Sequence, residues 1–359
     1  MSLKRALHSW KTWLGLASLT FLLTIPLLDI AGGYLQTLTF LTFLYVILST
    51  AWNIMGGYTG QTSFGHATFY GVGAYTTAVL VLRGVPPLLT VPLAGVLAAL
   101  YGLAWGYPCL RLRGQYFAIA TIGVGEATRI LMLNMDDLIK NNSILKGLLM
   151  NGVLTGGATG LMLPTPSDIQ AYATGFYYGA MVAMFAGLLV SWWVKKSKFG
   201  LGLFAINMDI DAAETLGVNT VRYKNMALML SAFMVGICGS IYAQYMFYID
   251  PQTVFGFPMS IAMVLMPTIG GVGTLAGPIL GAVVYIVVQD RILTANLDLG
   301  FMKLSLSSMH LLVYGGLLVL IVLFEPKGLL GLYRRLINRW GKRPGRSPAL
   351  RGLDGKGVS

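Results

Sequence analysis

Long apolar runs separated by short polar connections dominate this chain and restrict how it can fold. A helix needs roughly 20 apolar residues to cross the hydrocarbon layer of a bilayer. Windows of this kind lie near residues 13–30, 35–55, 67–82, 88–107, 115–135, 173–194 and 225–248. Only 11% of the 359 residues are charged, which is about half of the fraction that a soluble domain carries. The sequence therefore predicts an all-α integral membrane protein.

The remaining apolar sequence predicts further spans and broken helices. The stretch from 259 to 289 is too long for one span and contains six interrupting residues: Pro267, Gly270, Gly271, Gly273, Gly277 and Pro278. Residues 309–324 form a last window. Cytoplasmic loops carry an excess of Lys and Arg. The basic residues of this chain follow that rule if both termini lie in the cytoplasm. Termini on the same side require an even number of crossings. We therefore divide the interrupted stretch into passes near 259–270 and 275–292, and expect about ten transmembrane helices.

The charges outside the spans suggest how the chain is organised. We expect a transmembrane permease domain over residues 1–332 and a basic cytoplasmic tail over 333–359. Residues 334–359 hold eight Lys and Arg against one acid, out of a net charge of +12 for the whole chain. Such a tail beside a membrane meets anionic lipid and gives no reason to expect nucleic-acid binding. Residues 136–172 are the one long external connection, which offers a rim for a soluble protein.

Residues 196–226 form a cytoplasmic loop between two apolar windows, with an amphipathic core. A polar helix closed by a glycine has no use inside a bilayer, and Lys198, Arg222 and Lys224 flank it. We expect it to dock a cytoplasmic partner. The residues assigned to this contact are Asp211, Ala212, Ala213, Glu214 and Gly217.

Two glycine-rich segments, from Gly56 to Gly65 and from Gly270 to Gly277, interrupt apolar windows and resemble each other weakly. Paired breaks in two halves of a chain indicate a transporter built on inverted repeats, with its pathway near the breaks. The candidate translocation-path residues are Thr59, Gln61, Ser63, Phe64, His66, Gly273 and Thr274. Close helix packing is the alternative use of such glycines, and a structural hydrogen bond is the alternative role of His66.

Glu126 and Arg129 lie within the predicted fifth span, three residues apart, where they can pair on one helix face. An ionisable residue in a span is by default a functional hypothesis, but a paired acid and base can also serve packing, and both uses stay open. No segment matches the phosphate-binding pattern G-x-x-x-x-G-K-[ST]. We expect no catalytic, cofactor-binding or metal-ligating residue in this chain, and buried free thiols at Cys109 and Cys238.

Six segments in chain order carry a resemblance to a known family. They are Asn53–Gly73, Leu110–Arg129, Leu154–Leu161, Asp211–Asn219, Gly270–Gly281 and Phe324–Leu332. Together they resemble the LivM-type permeases of branched-chain amino acid ABC importers. The resemblance implies the ABC importer permease fold in the cytoplasmic (inner) membrane, as a non-catalytic subunit. The implied partners are a second related permease, two cytoplasmic ATPases that hold ATP and Mg²⁺, and a periplasmic or surface-tethered binding protein.

By the same resemblance, Asp211 to Gly217 looks like the coupling helix that seats in the ATPase. The family usually carries a denser run of charges just before it, where this chain has Asn207, Met208, Asp209 and Ile210. Apolar contact through Met208 and Ile210 would then replace an ion pair. The expected cargo is a branched-chain, hydrophobic or neutral amino acid. The alternatives are urea or a short amide, a shared property of such permeases, and an ion-coupled secondary transporter that works without ATP.

Overall fold

The computed structural model describes residues 20–27, 33–141, 154–294, 296–298 and 303–305, with residues 315–316, 319, 328–332 and 335. A 3₁₀ turn covers Ile25–Leu27. The helices are α1 (Tyr34–Trp52), α2 (Ala67–Leu82), α3 (Pro87–Cys109), α4 (Gln115–Lys140), α5 (Ile169–Lys196), α6 (Lys198–Met208), α7 (Ile210–Thr215), α8 (Thr220–Met246), α9 (Pro251–Val254), α10 (Phe257–Gly270) and α11 (Gly277–Thr294). The strands are β1 (Leu161–Met162), β2 (Tyr248–Ile249), β3 (Asn296–Asp298) and β4 (Lys303–Ser305).

Six of the described helical segments are long and apolar enough to cross a membrane. They are Tyr34–Tyr58, Pro87–Cys109, Gln115–Lys140, Ile169–Lys196, Thr220–Met246 and Pro251–Gly270. The expected count of about ten is not confirmed, since α2 has only 16 residues. Most of the predicted windows 13–30 and 309–324, and nearly all of the predicted tail 333–359, lie outside the described residues. The break in the interrupted stretch is present, because α10 ends at Gly270 and α11 begins at Gly277, but α11 is not among the candidate spans.

Helix α8 lies at the centre of the fold and packs most extensively against α2 and α3. Small residues allow this close approach. A Cβ atom at Gly73 would overlap the backbone of Gly236, and one at Gly236 would lie 2.9 Å from the carbonyl oxygen of Ala94. Small-residue contacts of this kind are the ordinary means by which helices associate in membranes.

Two predicted connections are shorter than expected. Helix α4 continues to Lys140, so the first residues of the expected external loop 136–172 belong to its last turn. Most of the expected cytoplasmic loop 196–226 is also helical, as the end of α5, then α6, α7 and the beginning of α8. A polar helix was predicted within 196–226, but the extension of the neighbouring helices into both connections was not; capped helix ends satisfy the backbone as well as a loop does.

The two ends of the molecule are defined by α4, whose 26 residues extend over about 39 Å. Arg113, just before α4, contacts Asp211 of α7. At the other end of α4, Asp136 contacts the segment that leads into β1, which pairs antiparallel with β2. We call these the α7 end and the β1 end.

Candidate coupling helix and translocation path

The short helix α7 begins at a side-chain cap that the sequence did not single out. Asp209 is the N-cap, and its Oδ1 accepts hydrogen bonds from the backbone N–H of Asp211 at 2.9 Å and of Ala212 at 3.0 Å. A cap of this type stabilises a helix by about 0.5–2 kcal/mol. Asp209 lies in the segment where charge is sparser than expected, and its role there is local.

The other end of α7 is closed by a glycine, as predicted. Gly217 has a φ of 85°, a left-handed conformation that glycine adopts without steric penalty. Its N–H donates to the carbonyl of Glu214 at 2.9 Å, and the N–H of Val218 donates to that of Ala213 at 3.0 Å. This pair of bonds is the Schellman ending of a helix. The predicted polar helix with a glycine stop is therefore present.

Two exposed apolar residues flank α7, one on each side. Met208 is 89% exposed and Leu216 is 82% exposed. One residue of the predicted docking surface and one of the flanking lysines lie inside the protein instead, because Ala213 is 2% exposed and Lys224 is 3% exposed. Asp at position 213 would therefore disturb packing under α7 rather than test a contact on its surface.

Both acids of α7 already have partners within the chain. Asp211 forms an ion pair with Arg113 at 3.0 Å, and Glu214 accepts a hydrogen bond from the hydroxyl of Thr220. The Asp211 pair is exposed, so it contributes less than about 1 kcal/mol. Its value is positional, since it ties the segment before α4 to α7.

The two glycine breaks predicted from sequence meet inside the protein, and one side chain joins them. Asn53 is buried; its Oδ1 accepts from the N–H of Gly273 at 2.8 Å, and its Nδ2 donates to the carbonyl of Thr274 at 2.9 Å. A Cβ at Gly57 would lie 2.8 Å from the Gly273 nitrogen. We call this contact, formed by Asn53, Gly57, Gly273 and Thr274, the glycine junction.

The glycine junction lies directly beside the start of α7. The Nδ2 of Asn207, two residues before the Asp209 cap, donates to the carbonyl of Gly57 at 3.1 Å. Gly328, from another of the six motif segments, approaches the backbone of Gly271 on the other break. Sequence reasoning missed the bridging roles of Asn53 and Asn207, because each depends on residues far away in the chain.

The other predicted path residues are mostly buried and satisfied. Thr59, Gln61 and Ser63 are all buried, and the hydroxyl of Thr59 donates to the carbonyl of Met55 at 2.6 Å. Gln61 Oε1 has no hydrogen-bond partner among the described residues. Phe64 is half-buried and lines a cavity. Ser63 lines a second, smaller cavity, so Phe64 and Ser63 are the residues of this set that border open space.

His66 is fully buried and holds the first break against α8. Its Nδ1 lies 2.9 Å from the Ser63 hydroxyl and its Nε2 lies 3.0 Å from the Ser231 hydroxyl. Ser231 donates its only hydrogen to the carbonyl of Ala51 at 2.7 Å, so it accepts from His66. This assigns the proton of a neutral imidazole to Nε2. The geometry matches the structural hydrogen bond offered as the alternative for this residue.

Two helices begin together near the middle of α4. Ala67, the first residue of α2, donates its N–H to the hydroxyl of Ser260 in the first turn of α10 at 3.0 Å. Thr68 in turn lies against Gly125 of α4, about 15 Å from the start of that helix. Helix starts at such a depth are typical of transporters with discontinuous helices.

The β1 end is organised around one carboxylate. Asp136 is buried and accepts from the backbone N–H groups of Leu154, Thr155 and Gly156 at 2.8, 2.8 and 2.9 Å. These bonds fix the glycine-rich turn that precedes β1. Asp136 was predicted only as part of an external rim, because its sequence position carries no signal of the turn that it binds.

Glu126 and Arg129 form the ion pair that their spacing allows. Arg129 Nε donates to Glu126 Oε2 at 3.0 Å. The Glu126 side chain is about half exposed and that of Arg129 less so. The pair therefore lies on a face of α4 that the described part of the chain leaves partly uncovered.

Candidate spans, broken helices that meet inside the protein and a capped helix at one end together define a multi-pass membrane transport protein. The family model described as branched-chain amino acid transport system / permease component matches residues 34–322. This match covers most of the chain, and the chain belongs to that family.

Individual relatives agree with this assignment. The chain is 28% identical over 347 residues to the high-affinity branched-chain amino acid transport system permease protein LivM of Escherichia coli (strain K12), covering 88% of this chain and 75% of that protein. It is 23% identical over 299 residues to the corresponding LivH of Salmonella typhimurium, covering 80% and 91%. A shorter match, 30% over 147 residues, is to the autoinducer 2 import system permease protein LsrC of Yersinia pestis, covering 38% and 40%. No solved structure matches. The predicted resemblance to LivM-type permeases is confirmed.

Proposed function

We propose that this chain is the permease subunit of an ATP-driven importer that carries branched-chain or other hydrophobic or neutral amino acids. Family membership supports a transport role, and the LivM and LivH relatives are both named for branched-chain amino acid transport. Since the sequence has no phosphate-binding loop, ATP and Mg²⁺ would be held by two partner ATPases. A second related permease and a substrate-binding protein would complete the importer.

The position of α7 is the observation that carries this proposal. Met208 and Leu216, which flank this capped helix, are exposed, and Asn207, two residues before its N-cap, is bonded to the glycine junction. Force applied to α7 by an ATPase would act directly on the contact between the two broken helices. Because packed interfaces shift between discrete arrangements, such a force would switch the junction rather than bend it gradually.

The distribution of charge supports an orientation with the α7 end in the cytoplasm. The α7 end carries six basic residues: Arg111, Arg113, Lys195, Lys196, Lys198 and Arg222. At the β1 end, the last turns of α4 carry Asp136, Asp137 and Lys140. An excess of Lys and Arg marks the cytoplasmic side. The protein would thus lie in the cytoplasmic (inner) membrane with both termini inside, and the Asp136 turn would face the binding protein outside.

The docking role is tested by placing a charge on the apolar surface around α7. Leu216→Asp should abolish leucine uptake by the complete importer in proteoliposomes, because the loss of about 1.5–3 kcal/mol of apolar burial weakens ATPase docking ten- to a hundredfold. Leu216→Met keeps the apolar contact and is the matched control. Uptake of radiolabelled leucine and ATP hydrolysis are measured in parallel. Normal uptake by Leu216→Asp would remove α7 from the contact.

The alternatives are separated in the same preparation. Leucine uptake by the purified chain without any ATPase would favour a secondary transporter over an ATP-driven one. Uptake of urea or acetamide in place of leucine by the complete importer would assign the chain to the amide permeases. The name of the LsrC relative indicates that related permeases carry other cargo. Leucine, urea and acetamide are therefore all tested as substrates.

A further inference from the structure

A cavity of about 270 Å³ opens between α2, α4 and α10, near the middle of α4. One water needs roughly 10–15 Å³ on this measure, so the cavity has room for a small organic molecule. Its walls combine three aromatic rings, two hydroxyl groups and one carboxylate, from Phe64, Phe255, Phe257, Thr68, Ser260 and Glu126. None of the other residues that line it is charged.

One wall of the cavity is suited to an anion. Thr68 and Ser260 lie in the first turns of α2 and α10, two helices of 16 and 14 residues, and the N-terminus of a helix attracts negative charge. The hydroxyl of Thr68 is buried without a hydrogen-bond partner in the described structure. Ser260 accepts from Ala67, and no acceptor for its own hydroxyl hydrogen is found among the described residues. Two hydroxyl donors at converging helix starts are therefore unused.

Another part of the lining is suited to a cation. Glu126 lines the cavity from α4 and forms an ion pair with Arg129. A carboxylate offers about four lone-pair positions, so two bonds to Arg129 leave room for an ammonium group. The rings of Phe64 and Phe257, with centroids 6.4 Å apart, and that of buried Phe255 provide an apolar surface beside it.

We propose that this cavity binds the cargo in transit as a zwitterionic amino acid with an apolar side chain. The α-ammonium group is held by Glu126, the α-carboxylate by the starts of α2 and α10 with the hydroxyls of Thr68 and Ser260, and the side chain by the phenylalanines. This assignment rests on the proposed function, and it adds a substrate site in the permease itself.

The test fills the cavity without touching the ion pair. A Cβ at Gly125 would meet Thr68 Oγ1 at 3.4 Å, an ordinary contact, whereas one at Gly123 on the same helix meets nothing within 4 Å. Gly125→Leu therefore projects into the cavity, and Gly123→Leu is the matched control. The purified permease complex in lipid nanodiscs is assayed for binding of radiolabelled L-leucine without the binding protein, and thermal unfolding checks the fold of each variant.

We expect the wild type and Gly123→Leu to bind leucine, and Gly125→Leu to bind it at least tenfold more weakly with unchanged thermal stability. Isocaproate, which lacks the ammonium group, and isoamylamine, which lacks the carboxylate, should compete at least tenfold less well than leucine. Glu126→Gln should reduce the preference for leucine over isocaproate.

Wild-type strength of leucine binding in Gly125→Leu would overturn the site, and so would equal competition by isocaproate or isoamylamine. Either result leaves the proposed function intact as long as the complete wild-type importer takes up leucine with ATP. Failure of that uptake removes the proposed function, and the assignment of the site to amino acids falls with it.

Discussion

Replacing Asp136 by Asn should loosen the turn at the β1 end, although it changes only one atom of the side chain. The Oδ1 of Asp136 accepts from the N–H groups of Leu154 and Thr155, while Oδ2 accepts from that of Gly156. The amide of asparagine keeps one oxygen, which can accept from the N–H groups of Leu154 and Thr155 or from that of Gly156, but not from both. The amide nitrogen then faces a backbone N–H, so that two donors oppose each other.

The magnitude follows from the number and type of these bonds. Hydrogen bonds to a charged group contribute about 1.5–3 kcal/mol each, and Asp136→Asn loses one of three backbone bonds while the others lose their ionic component. We expect the turn to lose roughly 2–4 kcal/mol of local stability. Since a factor of ten corresponds to about 1.4 kcal/mol, amide exchange that requires opening of the turn should accelerate roughly 30- to 1,000-fold.

Hydrogen–deuterium exchange measured by mass spectrometry on a peptide that covers residues 154–160 is the appropriate assay. Asp137→Asn is the matched control, because the neighbouring Asp137 side chain is 79% exposed and, among the described residues, pairs with Lys140 alone, at 3.9 Å. Exchange in the control should equal that of the wild type. If both variants exchange at the same rate, Asp136 does not hold the turn and the reasoning fails.

Two further predictions concern the other end. Asn53→Ala should lower the stability of the purified protein by about 1–3 kcal/mol, because the N–H of Gly273 loses its buried acceptor. Asn134→Ala removes an exposed side chain that bonds within its own helix, and this control should leave the Tm unchanged. Equal Tm values for the two variants would contradict the role of Asn53. Gly217→Val should cost about 1–2 kcal/mol, because valine is strained in the left-handed conformation, and it should reduce the amount of leucine taken up per ATP hydrolysed. Gly217→Asn should have a smaller effect on both quantities. An unchanged ratio of uptake to ATP hydrolysis in the valine variant would show that the ending of α7 is not critical.

Features set by local sequence were predictable. The glycine stop of α7, the break between α10 and α11 and the pairing of Glu126 with Arg129 each depend on residues within a few positions of one another. Positive φ angles and three-residue spacing act over one helical turn. Local chemistry of this kind can be read without knowing the rest of the fold.

Features set by tertiary contacts were not predictable. Asn53 and Gly273 are 220 residues apart, and nothing in either segment indicates that they meet. Burial of Ala213 and Lys224 under α7 was missed for a similar reason, since a polar stretch of sequence does not reveal which side faces the protein. The cavity beside Glu126 depends on where α2 and α10 start relative to α4, which hydropathy does not encode.

Helix α4 connects the proposed sites, and it is the least buried of the candidate spans in the described part of the chain. Only 17% of its apolar window is buried, compared with 67% for α8. It is tied near one end through Arg113 to α7 and at the other through Asp136 to the β1 turn, while Gly125 and Glu126 contribute to the cavity between them. Segments with few buried apolar contacts shift at the lowest free energy. A displacement of α7 is therefore expected to move α4 against the closely packed α2, α3 and α8, and so to change the part of the cavity lining that carries Glu126.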